Sequence, residues 1–275
     1  MDLGLAGAAV CVQGGSKGMG RAAAEAFARD GARVAILARG RSALDATVER
    51  LRTLGSPEAF GLSVDLFDAP AIDAAFAELG SRFDGALNTL VNAAGPGASR
   101  RLFHELPDDE WLEAFEIGAL AAVRCTRAAL PLLRTARSQP GGWARVVNVS
   151  AHSTKRQTAT LAAYTAAKAA MTSVSKNMSL ALGPEEILVN TVSPGSFASE
   201  GFKAAMAMLP PERGLDPENL HDCMRWIAED FGHPAHLPRA GDPDEIGAVI
   251  AFVGSRTNSY MTGANLNVDG GSDFT

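Results

Sequence analysis

The sequence predicts an α/β fold, a doubly wound parallel sheet of about seven strands with helices on both faces. Two observations support this fold class. Short apolar runs alternate along the chain with longer stretches of helical spacing, and a glycine-rich segment directly follows the first apolar run. Such alternation is typical of parallel sheets, because their strands are buried on both faces and are connected by helices.

The predicted strands are short runs of mainly aliphatic and β-branched residues. In chain order they are AAVCV (8–12), RVAIL (33–37), FGLSV (60–64), LNTLVNA (87–93), RVVNV (145–149), ILVNTV (187–192) and NLNVDG (265–270). Between them, the spacing of apolar residues predicts helices over 20–30, 41–54, 69–82, 108–134, 161–182 and 242–254. Each predicted helix therefore lies where a parallel sheet needs a crossover connection.

We predict one domain over residues 1–275 with a single insertion. The length of 275 residues suits one large domain or two small ones, and 47% hydrophobic with 20% charged residues is the balance of a globular protein. The segment 200–240 is rich in Met, Pro and His and falls between a strand and the last helix. It is predicted to form a helical lid over about 200–238.

Composition argues against several classes of partner. The formal net charge is −6 and no basic run or stripe is present, so neither nucleic acid nor an anionic membrane is expected as a partner. No apolar stretch reaches the ~18–20 residues of a membrane span. Cys11, Cys125 and Cys223 lie far apart without metal-ligand spacing, so we expect unpaired thiols, no metal site and a cytoplasmic location.

The first candidate site is the segment GGSKGMG, from Gly14 to Gly20, between the first strand and the first helix. Glycines let the backbone turn tightly and approach a pyrophosphate, and the following helix offers N–H groups and the positive end of its dipole. A glycine-rich loop alone is weak support, but its placement between strand and helix predicts a dinucleotide site.

The end of the second strand predicts which dinucleotide binds. A carboxylate there would hold a ribose 2′-hydroxyl and favour NAD, but this chain has Ala38 followed by Arg39. The Arg39 guanidinium suits a 2′-phosphate, and Lys17 in the glycine loop adds a second positive charge. We therefore predict that NADP(H) is preferred over NAD(H).

Tyr164 and Lys168 stand four residues apart within a predicted helix, so their side chains share one face. A phenol beside an ammonium can exchange a proton near neutral pH, because the positive charge favours the phenolate. With this pair, the chain resembles the short-chain dehydrogenase/reductase family, in particular its 3-oxoacyl reductase-like members. The resemblance implies a Rossmann-like sheet and interconversion of a ketone with a secondary alcohol.

Further motifs in the family's order carry the resemblance over nearly the whole chain outside the lid. They are SVDL with Asp65 and Leu66, NAAG from Asn92 to Gly95, VNTVSPG over 189–195, RAGDPDEI, and SYMTGANLNVDGG. Ala93 departs from the family's second Asn. The resemblance and the two cation positions together assign cofactor binding to Gly14, Ser16, Lys17, Gly18, Met19, Gly20, Arg39, Asp65, Leu66, Asn92, Ala93, Ala94, Gly95, Tyr164, Lys168, Pro194, Gly195, Phe197 and Ser199.

The resemblance also implies catalytic roles for the Tyr–Lys pair. Tyr164 would give its proton to the substrate carbonyl oxygen, while Lys168 would bind the nicotinamide ribose hydroxyls and lower the pKa of the tyrosine. Pro194 and Gly195 would line the nicotinamide, Phe197 would offer backbone groups to its carboxamide, and Ser199 occupies the family's usual hydroxyl position.

Two expected polar side chains are missing. The family's carbonyl-holding serine would stand at Ala151, and its helix asparagine, which organises a relay water, aligns with Gly118. Three explanations remain open: a neighbouring residue replaces the serine, the site works without the donor, or the chain is an impaired member. Ser153 is our first candidate for the replacement, provided that the strand continues, and His152 is the second; Ser150 is expected to point the other way. Gly118 would leave room for a water in place of the asparagine amide.

The lid is expected to set substrate specificity. Its apolar residues Phe202, Met206, Met208, Leu209, Trp226 and Phe231 could line an apolar pocket, or could equally pack the lid onto the body. The first possibility favours a lipophilic ketone or alcohol. The helices over 108–134 and 161–182 pair between subunits in the family, so we expect a homo-oligomer, most simply a homotetramer.

Two functions are compatible with these features. The first is an NADP(H)-dependent ketoreductase with Tyr164 as general acid and base. The alternative is a cofactor-binding protein with weak or no turnover, in a regulatory or binding role, which the residues at 118 and 151 favour and the intact Tyr–Lys pair disfavours.

Overall fold

The computed structural model describes residues 2–97, 99–232 and 234–272. The predicted domain also includes Met1, Ala98, His233 and residues 273–275, which lie outside the described part of the chain. Within the described part, the strands are β1 (Ala9–Gln13), β2 (Arg33–Ala38), β3 (Ala59–Ser63), β4 (Thr89–Asn92), β5 (Ala144–Val149), β6 (Ile187–Pro194) and β7 (Asn265–Val268).

All described strands are parallel and form one sheet in the order β3-β2-β1-β4-β5-β6-β7. This is the predicted doubly wound sheet. The strand order reverses between β1 and β4, and ligands of such sheets bind in the crevice outside the carboxyl ends at that point. The loops after β1 and β4 border this crevice, and they contain the glycine motif and the NAAG motif.

The helices are α1 (Gly18–Arg29), α2 (Arg41–Thr53), α3 (Ala69–Arg82), α4 (Asp108–Phe115), α5 (Ala121–Ser138), α6 (Ala162–Leu182), α7 (Glu200–Met206), α8 (Leu220–Phe231) and α9 (Pro243–Val253). The predicted helix over 108–134 is thus divided, because a π-helical turn over Glu116–Leu120 separates α4 from α5. No helix within the described residues has the length and apolar character required to cross a bilayer.

Alternate residues of the buried strands supply two apolar layers, one on each face of the sheet. Val10 and Val12 pack with Phe27 of α1 and Ile250 of α9 on one face. On the other face Cys11 packs with residues of α3 and α5, including Cys125. Burial raises the pKa of both thiols, so these two cysteines belong to the core.

The lid contains α7 and α8 and has an apolar cluster of its own. Met206 and Trp226 are buried in this cluster, and Phe202, Leu209 and Phe231 pack against it. Of the six apolar residues considered from the sequence, only Met208 is strongly exposed, at 83%. The other five therefore pack within the lid itself, whereas the second possibility had them pack the lid onto the body.

Candidate active site

A cleft of about 710 Å³ opens at the carboxyl ends of β1, β2 and β4. Residues predicted from the sequence line it from five segments: Gly14, Ser16, Lys17, Arg39, Asp65, Leu66, Ala94, Gly95 and Tyr164. The fold thus brings the glycine loop, the two candidate phosphate-binding cations and the candidate proton donor to one cavity.

The glycine loop and the loop after β4 contact each other closely. Gly14 has φ +76°, and a Cβ built on it would lie 2.6 Å from the Ala94 nitrogen. The Gln13 side chain reinforces the contact, because its Oε1 accepts a hydrogen bond of 2.9 Å from the Ala94 N–H. Gln13 was missed in the sequence, although a polar residue at the end of an apolar strand signals such a role. The bare backbone beside the N-terminus of α1 fits the pyrophosphate of a dinucleotide.

The chemistry of the cleft wall also fits a dinucleotide with an extra phosphate. Lys17 and Arg39 are both exposed at the wall, and neither forms an ion pair within the described residues. Asp65 also borders the cleft, and its Oδ1 accepts a hydrogen bond from the Phe67 N–H. The wall therefore offers guanidinium and ammonium donors to an anion and a carboxylate acceptor to an amino group.

The remaining predicted cofactor residues lie outside the lining of this cleft. Gly18, Met19 and Gly20 form the first turn of α1. Asn92 is fully buried, where its amide donates to Asn148 Oδ1 at 2.8 Å and to Thr126 Oγ1 at 3.2 Å. The Asn92 side chain therefore connects β4 to β5 and α5, and only the position of its backbone is relevant to the cleft.

The segment after β6 forms the boundary between the sheet and the lid. A Cβ on Gly195 would lie 2.6 Å from Asp269 Cα, so a larger residue would push this segment away from the segment after β7. Pro194 ends β6, and Phe197 is buried against Gly241. The hydroxyl of Ser199 caps α7 by accepting a hydrogen bond from the Phe202 N–H.

The α6 helix supplies the candidate proton donor and its neighbour. Lys168 is 3% exposed, and its Nζ donates to the Val149 carbonyl at 2.7 Å and to the Ala94 carbonyl at 3.5 Å. A Cβ on Gly95 would lie 2.8 Å from this Nζ, so the glycine makes room for the lysine. Burial lowers the pKa of Lys168 to about 8 and raises the pKa of the half-buried Tyr164 to about 12. At neutral pH the phenol keeps its proton and the lysine its charge.

Gly118 does not leave room for a water, and this expectation was wrong. A Cβ on Gly118 would lie 2.7 Å from Ala167 Cβ and 3.2 Å from Pro96 Cδ. The glycine is buried in the π-helical turn, where α6 packs directly against it. The space that the family's asparagine side chain would occupy is therefore filled by Ala167 and Pro96.

The condition attached to Ser153 also fails, because the strand does not continue. β5 ends at Val149, and residues 152–154 form a 3₁₀ turn, so strand alternation does not set the direction of Ser153. Ser150 donates to the Lys168 carbonyl at 3.0 Å and thus bonds to the α6 backbone. Ala151 is buried, at 5% exposed.

Both candidate replacements pack close to the Tyr–Lys helix or to β6, but neither lines the described part of the cleft. Ser153 is buried, and its Oγ accepts a long hydrogen bond of 3.5 Å from Thr165 Oγ1. As the acceptor, Ser153 retains its own O–H proton for another partner. His152 Nδ1 lies 3.0 Å from the Pro194 carbonyl oxygen. Because a carbonyl oxygen can only accept, Nδ1 must carry the proton in this contact. In a neutral ring Nε2 is then an acceptor and cannot donate to a substrate.

Comparison with known proteins agrees with this geometry. A family model described as Enoyl-(Acyl carrier protein) reductase matches residues 14–273. The chain belongs to the short-chain dehydrogenase/reductase family. It is an oxidoreductase of that family, as the Tyr–Lys pair and the glycine loop predicted.

Relatives in this family cover almost the entire chain. The short-chain reductase protein NovJ of Streptomyces niveus is 30% identical over 260 residues, with 94% of this chain and 92% of the relative covered. The 3-oxoacyl-acyl-carrier-protein reductase FabG of Aquifex aeolicus is 27% identical, with 98% and 99% covered. The crystal structure of L-sorbose reductase from Gluconobacter frateurii, complexed with NADPH and L-sorbose, superposes with a TM-score of 0.90 at 26% identity and full coverage of both chains.

Proposed function

We propose that this short-chain dehydrogenase/reductase uses NADP(H) to interconvert a ketone and a secondary alcohol, with Tyr164 as general acid and base. One observation carries the proposal: Tyr164 lines the same cleft as the glycine loop and Arg39. The NADPH in the similar L-sorbose reductase supports a nicotinamide cofactor for this chain. The bound cofactor would supply the hydride.

The chain's own residues would hold the cofactor by charge and hydrogen bonds. Arg39 and Lys17 would bind the 2′-phosphate, and Asp65 would accept from the adenine amino group. Lys168 would donate to the nicotinamide ribose from an Nζ already oriented by the Val149 and Ala94 carbonyls. The segments from Gly14 to Gly20, from Asn92 to Gly95, and from Pro194 through Phe197 to Ser199 would supply the remaining backbone contacts.

The protonation states favour reduction at neutral pH. Since burial raises the pKa of Tyr164 to about 12, the phenol is available as a proton donor to a carbonyl oxygen. Alcohol oxidation needs the phenolate instead. The Lys168 ammonium favours that form, because it is a positive charge on the same helix face.

We propose that Ser153 holds the substrate carbonyl, with His152 as the second candidate. The Ser153 hydroxyl accepts from Thr165, the residue after Tyr164, and so keeps its own proton for a substrate oxygen. His152 can donate from Nε2 only when the ring is doubly protonated, because the contact with Pro194 uses the Nδ1 proton. This difference places Ser153 first.

The substrate remains a prediction, namely a lipophilic ketone or its alcohol. The lid residues that suggested a lipophilic substrate mostly pack inside the lid. The similar reductase binds L-sorbose, so a polar sugar ketone is the alternative substrate class to test. A panel with NADPH should therefore contain aryl and long-chain ketones beside ketoses.

Turnover on this panel, compared with Tyr164→Phe, tests the function. The wild type should oxidise NADPH in the presence of at least one ketone, and the variant should lose at least 10³-fold in kcat, about 4 kcal/mol. Equal rates for both proteins would reject Tyr164 as the acid.

The alternative function is binding without appreciable turnover. It is favoured by Ala151, which is buried without a hydroxyl, and by Gly118, whose side-chain space is filled. Tight NADPH binding with no ketone reduction across the panel would support it.

We also propose a cytoplasmic homotetramer. Exposed apolar side chains lie along the helices predicted to pair between subunits: Leu112, Phe115, Leu120 and Leu180. Light scattering after size-exclusion chromatography tests the assembly, and a monomer would reject it.

A further inference from the structure

One carboxylate connects the start of the lid to the glycine loop. Glu200, the first residue of α7, accepts at Oε2 a hydrogen bond of 2.8 Å from the Gly18 N–H. Its Oε1 forms an ion pair with the Arg21 guanidinium. The adjoining Ser199 also lies against the loop, since a Cβ on Gly18 would lie 3.6 Å from Ser199 Cβ. The lid is therefore attached to the first turn of α1.

This attachment uses the positive end of α1. Gly18 is the first residue of the helix, and the N–H groups of a first turn have no partner within the helix and carry partial positive charge. Burial alone would raise the pKa of Glu200, but backbone N–H groups, including that of Gly18, and the charges of Arg21 and Lys17 hold it below its ordinary value. Glu200 is therefore an anion at neutral pH, at the helix end that would receive the cofactor's pyrophosphate.

Glu200 lies beside the candidate cofactor cleft and outside its lining. It borders a separate groove together with Gly18 and Arg21, whereas Gly14, Ser16 and Lys17 line the cleft. The carboxylate and a pyrophosphate could thus be present together. They would nevertheless repel each other, because both are anions at the same helix end.

We propose that Glu200 is a positioning residue whose carboxylate holds the lid on the N-terminus of α1. The same negative charge lowers the affinity for the cofactor, because it repels the pyrophosphate at that helix end. This inference rests on the proposed function, since it takes the glycine loop as the pyrophosphate site. Coupling of this kind is reciprocal: a bound dinucleotide weakens the hold of Glu200 on the loop by the same factor.

The test is the affinity of the full-length protein for NADPH and for NADH, measured by fluorescence titration. Glu200→Gln removes the charge but keeps an oxygen that can accept from the Gly18 N–H. We expect it to lower both dissociation constants by the same factor, about three- to tenfold, because both cofactors contain the pyrophosphate. Glu212→Gln, the same change at an exposed position of the lid, should leave both constants unchanged.

A second variant keeps the proposal testable if Glu200→Gln does not fold, as judged by circular dichroism. Glu200→Ala removes both the charge and the acceptor, so it should tighten both cofactors and also accelerate proteolysis within 200–232 in the absence of cofactor. Unchanged or weaker cofactor binding by the folded variants overturns the inference. A change in the affinity for NADPH alone also overturns it, because the Glu200 charge would then act on the 2′-phosphate and not on the pyrophosphate. If the wild type binds neither cofactor, the proposed function fails and this inference fails with it.

Discussion

The two sides of the candidate active site differ in how many polar side chains they supply. On α6, Tyr164 offers a phenol and Lys168 an ammonium held at 2.7 Å from the Val149 carbonyl. Beyond β5 and in the π-helical turn, a buried alanine and a closely packed glycine stand at 151 and 118. The pair that we propose moves a proton is present, while the polar side chains expected at 151 and 118 for holding the substrate oxygen and a relay water are not. Activity of this site therefore depends on which group holds the substrate carbonyl.

On the side that lacks polar groups, the largest expected effect tests the replacement at Ser153. We expect Ser153→Ala to lower kcat for ketone reduction by about 10²–10³-fold, since a lost oxyanion donor costs roughly 2.7–4 kcal/mol. The double variant Ala151→Ser with Ser153→Ala moves the hydroxyl to the position that the family uses, and it should recover a large part of that loss. Steady-state kinetics on the best ketone of the panel measures both changes.

His152→Ala is the matched comparison for Ser153→Ala. Its effect on kcat should be smaller, because a neutral ring already bonded to the Pro194 carbonyl has no N–H left for the substrate. A larger loss for His152→Ala than for Ser153→Ala would transfer the role to the histidine. Full activity in both variants would mean that the site works without a side-chain donor on this turn.

The next effect concerns Gly118 and is one of stability. Gly118→Ala should lower the free energy of unfolding by about 1–2 kcal/mol, because the clash with Ala167 Cβ outweighs the better helix propensity of alanine. Gly118→Asn should be worse and should not raise kcat, since the amide has no space beside Pro96. Urea denaturation gives the free energies.

Gly118→Ala with Ala167→Gly is the control for packing. Exchanging the two residues removes the clash, so the double variant should be more stable than Gly118→Ala alone. If Gly118→Ala is as stable as the wild type, or if Gly118→Asn is more active, the space beside the π-helical turn is open after all.

Local patterns in the sequence predicted the sheet and the cofactor loops well. The apolar runs have the length of buried strands, and the helix over 69–82 begins and ends where the structure has it. The glycine loop follows β1 directly, so its place at the reversal of strand order followed from topology alone.

Features that depend on contacts between distant segments were not predictable. The π-helical turn contains Gly118, which packs closely on Ala167, and the spacing of apolar residues in 108–134 does not encode it. The 3₁₀ turn over 152–154 removed the basis for orienting Ser153. The Glu200 contact spans 182 residues, so no local pattern indicates it. Without a partner in view, an acidic residue at the start of a helix indicates only a favourable dipole interaction.

A moderate effect is expected at the cofactor end of the cleft. Arg39→Ala should weaken NADPH binding by about tenfold, because it removes one exposed charge-assisted contact. The affinity for NADH should stay unchanged. Arg52→Ala, an exposed arginine at the other end of α2, controls for the loss of charge. If the wild type binds both cofactors with similar affinity and Arg39→Ala changes neither affinity, the predicted preference for NADP(H) is wrong.

The smallest effect concerns the polar side of the comparison, and it is the pH dependence of ketone reduction. Lys168 has its pKa lowered to about 8 by burial, so its ammonium is complete at neutral pH and is lost as the pH rises through that value. Tyr164, with a pKa raised to about 12, stays protonated over the same range and cannot cause the change. We therefore expect kcat/KM to be constant near neutrality and to be about halved at pH 8.

Lys168→Arg keeps its charge to higher pH, so the alkaline decrease in kcat/KM should shift to higher pH if the variant folds and turns over. A decrease at the same pH in both proteins would assign it to another group, and the Lys168 ammonium would then not be the charge that reduction requires.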